Sequence, residues 1–338
     1  MGRYGAWRTA LLTGMIVVLT TLGLPRVTAA QRPGQVPRIA FLGINFPPST
    51  SAPSPFRDEF RQGLRERGWV EGHTIAIEWR WAEGSFDRFA SLVAEVIRLP
   101  VEVIVVPTAT TAAIAKRATT TIPIVVIAGG ALLETGLIAS LARPGGNITG
   151  IHGRAWELAS KQLELLKQAV PSVTQVAVLG GLNWSRFPPE LNAELMEPAR
   201  SLGMELHFFN IHEPSAFDSA FAAMTTAHVQ ALLVLGDPFF APYLHRIADF
   251  AAQQQLPSIC LGRSYAEAGC LMSYGFSLRG QGQLIAVYVD KILRGAKPAD
   301  LPVEQLTQFE FVINLKTAQT LGLTIPPTLL FQANEVIR

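Results

Sequence analysis

Apolar residues along this chain follow two alternating rhythms. Arg38-Ile-Ala-Phe-Leu-Gly43 is a continuous apolar run, the pattern of a strand buried on both faces of a parallel sheet. Phe56, Phe60 and Leu64 then recur at four-residue spacing, predicting a helix to about Arg67 that Gly68 stops. Thr74 to Arg80 reads as a strand. Phe86, Phe89, Leu92, Val93, Val96 and Ile97 mark a second helix. The alternation continues through strand Val103–Val106, helix Thr110–Ala118, strand Ile124–Ile127 and helix Leu133–Ala142. Pro144-Gly-Gly-Asn147 stops that last helix, and Ile148-Thr-Gly-Ile151 resumes as a short strand. Local chemistry leaves two readings of Ser140 to Gly150: a strand that leaves one lobe for the next, or an ordinary loop within a single sheet.

The rhythm restarts beyond Gly150. Helices are predicted over 155–169, 189–202, 215–227, 243–255 and 281–294, with strands at 176–179, 205–209, 231–235, 258–261, 271–274 and 309–313. A helix follows to about Leu321, and the tail from Pro326-Pro327 reads as irregular. Strands alternating with helices indicate α/β architecture with doubly wound parallel sheets, and 338 residues suit about two domains.

The first 30 residues stand apart. Arg3 and Arg8 form a basic head, Leu11 to Leu24 an apolar run short for a membrane span, and Val27-Thr-Ala-Ala30 a small-residue cleavage site. This is the order of a secretory signal peptide, so the mature protein is expected in the periplasm. Without that segment 25 basic residues face 26 acidic ones, and nothing favours nucleic acid. Only Cys260 and Cys270 are present. An exported pair can be oxidised, but one falls near the end of a predicted strand and the other near the start of the next. In a parallel pair those positions lie at opposite sheet edges, too far apart to bridge.

Ligands of open α/β sheets bind beyond the carboxyl ends of the strands. The residues there are Gly43, Ile44 and Asn45; Thr108, Ala109, Thr110 and Thr111; Gly129, Gly130 and Ala131; Asn183 and Trp184; and Asp237. The three threonines at a strand–helix junction, with free N–H groups beside them, suit a carboxylate, although a plain helix cap uses the same residues. Asp237 suits an ammonium or hydroxyl, or again a cap. Trp184 suits stacking on a planar ligand. Phe46, Phe187, Phe239 and Phe240 are further wall candidates, each more in keeping with packing. No glycine-rich phosphate loop, nucleophile elbow or His-x-x-x-His pair occurs, so no catalytic residue, metal site or cofactor is expected.

Seven blocks carry a resemblance: Phe41-Leu-Gly43; Gly63-Leu-Arg-Glu-Arg-Gly-Trp-Val-Glu-Gly72; Ile77-Glu-Trp-Arg-Trp-Ala-Glu-Gly84; Ser140 to Gly150; Leu271-Met-Ser-Tyr-Gly275; Val289 to Glu304; and Phe311-Val-Ile-Asn-Leu-Lys-Thr-Ala318. From about residue 36 onward the chain resembles ABC-transporter substrate-binding proteins related to tryptophan- and tyrosine-binding proteins. The resemblance implies the type I periplasmic-binding-protein fold, two Rossmann-like lobes joined by three crossovers. Lobe 1 would hold 36–150 plus 276–306, and lobe 2 would hold 151–275 plus 307–338. Asn147 to Ile151 would then be the first crossover, with the others near Tyr274–Phe276 and Thr307. It further implies a monomer that captures a small molecule, an amino acid or other aromatic or carboxylate solute, and delivers it to an ABC permease and its ATPase. A periplasmic ligand-sensing module for a membrane receptor is the alternative, and no enzyme is implied. Where many relatives have Gly-Asp-Pro-Val, this chain has Gly130-Ala-Leu-Leu133, which makes the cleft less polar there.

Overall fold

The computed structural model describes residues 36–45, 47, 54–130, 132–153, 155–181, 190–277 and 279–338. The segment read as a signal peptide lies outside these residues, as do Phe46, Ala131, Asn183, Trp184 and Phe187.

The described chain forms two α/β lobes, each built on its own sheet. The first sheet takes β1 (Arg38–Gly43), β2 (Ala76–Trp81), β3 (Val103–Val106), β4 (Ile124–Gly129), β5 (Ile148–His152) and the short β11 (Glu304–Gln305). Their spatial order is β11-β5-β4-β3-β1-β2, all parallel. The apolar runs alternate between two cores. Ala40, Leu42, Ile104 and Val106 face α2 (Phe86–Val96) and α3 (Ala109–Ala118). Ile39, Phe41, Val103 and Val105 face α1 (Pro55–Glu66) and α9 (Gln281–Leu293).

The second sheet has the order β13-β12-β10-β9-β8-β6-β7. Its strands are β6 (Gln175–Gly180), β7 (Glu205–Asn210), β8 (Ala231–Val234), β9 (Ser258–Cys260), β10 (Met272–Phe276), β12 (Phe309–Asn314) and β13 (Glu335–Ile337). Only the β10–β12 pairing is antiparallel. One face packs on α4 (Ala155–Ala169), α5 (Glu190–Ser201), α10 (Leu315–Thr320) and α11 (Pro327–Gln332). The other packs on α6 (Ala216–Thr226), α7 (Leu244–Gln253) and the short α8 (Arg263–Glu267).

Four expectations change. Residues 132–139 form turns and bends rather than a helix, with the Leu137 N–H donating to Leu132 O and the Ala139 N–H to Pro144 O. Ile148 to Ile151 does not cross between lobes. It is part of β5, buried throughout and paired with β4, so the chain leaves the first sheet only after His152. Gly150 makes that pairing possible: at φ 134° it lies so close to Val126 that a Cβ would stand 2.2 Å from the Val126 oxygen. Tyr274 to Phe276 likewise belongs to β10 of the second sheet, and the chain returns to the first lobe beyond it, into α9. Lastly, the tail after Pro326 is ordered, with α11 and a strand added to the sheet edge.

Cys260 and Cys270 are joined in a disulfide, against the geometric expectation. That expectation took both strands as full length. In the structure β9 has three residues and Cys270 stands in the turn before β10, which brings the two Cα atoms to 6.8 Å.

Three connections join the lobes, and they meet at Gly153. A Cβ there would lie 2.9 Å from Leu306, which follows β11, and 3.1 Å from Phe276, at the end of β10.

Candidate functional site

Both sheets point their carboxyl ends toward the face where the connections run, which sets a cleft between the lobes. On the first lobe, Gly43, Ile44 and Asn45 run on from β1 and stay zipped to the chain beyond β2. Ala82 N–H donates to Gly43 O at 2.9 Å, Glu83 N–H to Asn45 O at 3.1 Å and Gly84 N–H to Ile44 O at 2.6 Å. Ile44 is buried in the core. The Oδ1 of Asn45 is enclosed and accepts no hydrogen bond from a described residue. Trp81, at the end of β2, covers Gly43.

The threonine loop resolves into distinct roles. Thr108 is the N-cap of α3, and its hydroxyl accepts the Thr111 N–H at 3.3 Å. The Thr111 hydroxyl accepts the Thr108 N–H at 2.9 Å and donates to Thr108 O at 2.8 Å. This reciprocal capping box spends both side chains on the helix itself, and Thr111 is fully buried. It leaves out the Thr110 hydroxyl and the N–H groups of Ala109 and Thr110 in the first turn of α3. Beside them, Gly129 ends β4 and Gly130 follows it. In this segment Leu132 turns into the core of the first lobe and Leu133 is exposed.

The second lobe supplies a charge. Asp237 is 6 % exposed. Its Oδ1 accepts the Phe239 N–H at 2.9 Å, capping the 3-10 turn Pro238–Tyr243. The carboxylate rests on Gly181 at the end of β6, where a Cβ would stand 2.6 Å from the carboxyl carbon. Asp237 thus caps that turn while its carboxylate stays enclosed beyond the carboxyl end of β6. Phe239 and Phe240 are buried in the aromatic cluster around Phe217. Phe239 also reaches the other lobe: a Cβ on Gly84 would lie 3.5 Å from its ring. The rim beside Gly84 carries the Glu83–Arg88 ion pair, at 3.0 Å.

Two residues at the cleft were not singled out from sequence. Trp81 stands in a run of alternating tryptophans that reads simply as a strand. Leu261, half-buried after β9, wedges between Gly236 and Gly275: a Cβ on Gly236 would stand 2.0 Å from its methyl, and one on Gly275 3.1 Å. The available signal was the glycine after each strand, because each marks where a neighbouring side chain lies across the strand end.

Among the described residues no group of His, Cys, Asp and Glu side chains could hold a metal ion. A separate concavity of 260 Å³, lined by Met224, His228, Val229, Phe250 and Leu256 among others, lies by the amino ends of β8 and β9, away from the cleft.

Comparison with known proteins supplies relatives. The sequence profile of the ABC transporter substrate binding protein family matches residues 49–337. A tyrosine-binding protein of Clostridioides difficile (strain R20291) is 24 % identical over 265 residues, 78 % of this chain and 75 % of that one. Among solved structures, a conserved domain protein from Vibrio cholerae is 26 % identical with a TM-score of 0.79, covering 89 % of this chain and 100 % of its own. An ABC domain from Streptococcus pneumonia in complex with L-Trp is 24 % identical with a TM-score of 0.78, covering 90 % and 100 %.

Proposed function

The chain belongs to the ABC transporter substrate-binding protein family, and from that premise we propose that it captures a zwitterionic, amino-acid-like solute in the interlobe cleft. The observation that carries this reading is a pairing of opposite electrostatics. The start of α3 offers the unspent N–H groups of Ala109 and Thr110 with the positive end of the helix dipole, suited to a carboxylate. The second lobe offers the enclosed Asp237, suited to an ammonium. Asn45, Trp81 and Leu261 give the rest of the solute one polar and two apolar neighbours. A solute touching both lobes favours the closed state by its differential contacts, which is all that delivery to a permease requires. The tyrosine-binding relative and the similar domain in complex with L-Trp support a solute of this class.

We read residues 1–30 as the export signal, the protein as working outside the cytoplasm, and the permease with its ATPase as its partners. The test is calorimetry and thermal shift of the mature protein against L-tryptophan, L-tyrosine, the other amino acids, aromatic acids without an ammonium, and nucleosides. Binding confined to compounds bearing both charges, and lost in Asp237→Asn, is the expected result. Equal binding of the aromatic acids without an ammonium would overturn the role of Asp237.

A further inference from the structure

The ladder between β9 and β10 is short, and its last pair is Cys260 with Ser273. Beyond that pair a side chain takes over. Gln162 of α4, 1 % exposed, donates from its amide nitrogen to Cys260 O at 3.3 Å and to Tyr274 O at 2.7 Å. A buried amide with two carbonyl partners keeps its place, because losing either bond strands a buried polar group. The two carbonyls belong to the peptides that lead into Leu261 and Gly275. Gln162 thus sets the spacing of those two residues.

Leu261 and Gly275 meet directly. A Cβ on Gly275 would stand 3.1 Å from the Leu261 side chain and 2.9 Å from Gly262 N. On its other side Leu261 covers Gly236, where a Cβ would stand 2.0 Å from its methyl. One leucine therefore fills the space that two glycines leave across the ends of β8 and β10. It is half-buried, and among the described residues it belongs to neither apolar core of its lobe. Its side chain supplies a surface rather than core volume.

The neighbours of Leu261 fix its place along the cleft. Gly236 precedes Asp237. Gly275 precedes Phe276, which meets Gly153 where the three connections touch. Leu261 stands between Asp237 and the connections, at the hinge end. A solute whose ammonium reaches Asp237 has this leucine next along the sheet.

We infer that Leu261 is a specificity-determining residue that limits how far the side chain of a solute extends toward the hinge, and that Gln162 is a positioning residue that seats it there. This deepens the reading of Asp237 as the partner of the solute's ammonium, and rests on it. The solute that fits is an amino acid whose apolar side chain ends against the leucine.

The experiment measures affinity by calorimetry for L-leucine, L-phenylalanine and L-tryptophan, and for phenylacetate and indole-3-acetate, which lack the ammonium. Leu261→Ala clears the space over the two strand ends. It is expected to raise the affinity ratio of larger to smaller compound about tenfold, the scale on which an apolar pocket reads a missing methylene. Leu261→Phe should lower that ratio. Gln162→Met keeps the shape of the side chain and removes the donor, and Gln162→Asn keeps an amide too short for both carbonyls. Each should raise the ratio, because a leucine no longer held gives way to the larger solute. Neither should raise it further in the Leu261→Ala background. A merely structural role of Gln162 would lower every affinity alike. Without any ligand, Gln162→Met should speed amide hydrogen exchange at 261–262 and 275–276 several-fold while β3 stays unchanged. An unchanged ratio in both leucine variants, or no binding of any compound by any form, overturns the specificity role. An unchanged ratio or unchanged exchange in the glutamine variants overturns the positioning. A shifted ratio shared equally by the acids without an ammonium upholds Leu261 and refutes the part given to Asp237.

Discussion

The indole of Trp81 occupies the space that a side chain at Gly43 would take: a Cβ built on Gly43 stands 2.2 Å from two of its ring carbons. The two residues are register partners at the carboxyl ends of β1 and β2. Trp81 also lies 5.9 Å from Phe41, so its ring continues the aromatic layer beneath α1 up to the cleft edge. Gly43→Ala must expel the ring. The expected cost is about 1–3 kcal/mol, the usual penalty for overpacking, read by urea unfolding. Tryptophan fluorescence should shift to longer wavelength as the indole gains water.

Gly153 gives a second test, this time of motion. Its neighbours Leu306 and Phe276 come from the other two connections, so the three chain segments that must bend together touch at one point. A larger residue there wedges them apart. Gly153→Val is expected to raise the radius of gyration in X-ray scattering and to weaken solute binding, with secondary structure retained. Leu306→Ala in the same chain frees space beside the new side chain and should restore part of the affinity. Unchanged scattering and unchanged affinity in Gly153→Val would remove the hinge role from this contact.

The threonine loop separates folding from binding. Thr108 and Thr111 spend their hydroxyls on each other's backbone, whereas Thr110 stands outside that box. Thr108→Val should therefore cost about 1 kcal/mol of stability, the typical value of a lost cap. Thr110→Val should leave stability within about 0.5 kcal/mol, as surface changes do, and weaken solute binding. Denaturant titration and calorimetry on both variants check the split. The reverse assignment would mean that α3 meets the solute through its capping residue.

Several elements were legible because periodicity and burial agreed. Ala40 and Leu42 share one core with the stripe at Phe86, Phe89, Val93 and Val96 while Ile39 and Phe41 face the other, so a strand buried on both faces and a one-faced helix each had a single solution. Residues 133–142 misled because Leu137, Ile138 and Leu141 mimic a helical stripe. There Leu132, Leu137 and Ile138 are buried from a chain of turns, and the Lys116 ammonium holds the Leu137 carbonyl at 2.9 Å. The tail was misread because Pro326-Pro327 suggests irregular chain, while Pro327 takes the first turn of a helix that needs no N–H from it. Of the site, the strand-end glycines were visible, but what lies on each was not. Trp81 on Gly43, Asp237 on Gly181 and Leu261 on Gly236 are meetings of different strands, set by sheet order rather than by local sequence.

Arg263 supplies a prediction about pH. Its guanidinium holds Glu335 of the terminal strand through two nitrogens, one at 2.7 Å, and also pairs with Glu267 at 2.7 Å and Glu310 at 3.4 Å. β13 is only three residues long and sits at the edge of its sheet, so this fork ties the end of the chain to α8. The hydrogen bond from Arg263 holds the Glu335 carboxyl below its ordinary value, against a smaller opposing effect of burial. A carboxyl whose folded value is depressed adds stability that is present above its unfolded value, near 4.3 for Glu. That stability is lost as pH falls through the folded value. Glu335→Gln should therefore melt below wild type at pH 7. The gap should begin to shrink as pH falls toward the ordinary glutamate value and close once pH has passed below the depressed folded value. Because the pair is open to solvent, 0.5 M salt should narrow the gap at pH 7 as well. A gap that persists unchanged at low pH would mean that the glutamate acts by shape rather than by charge.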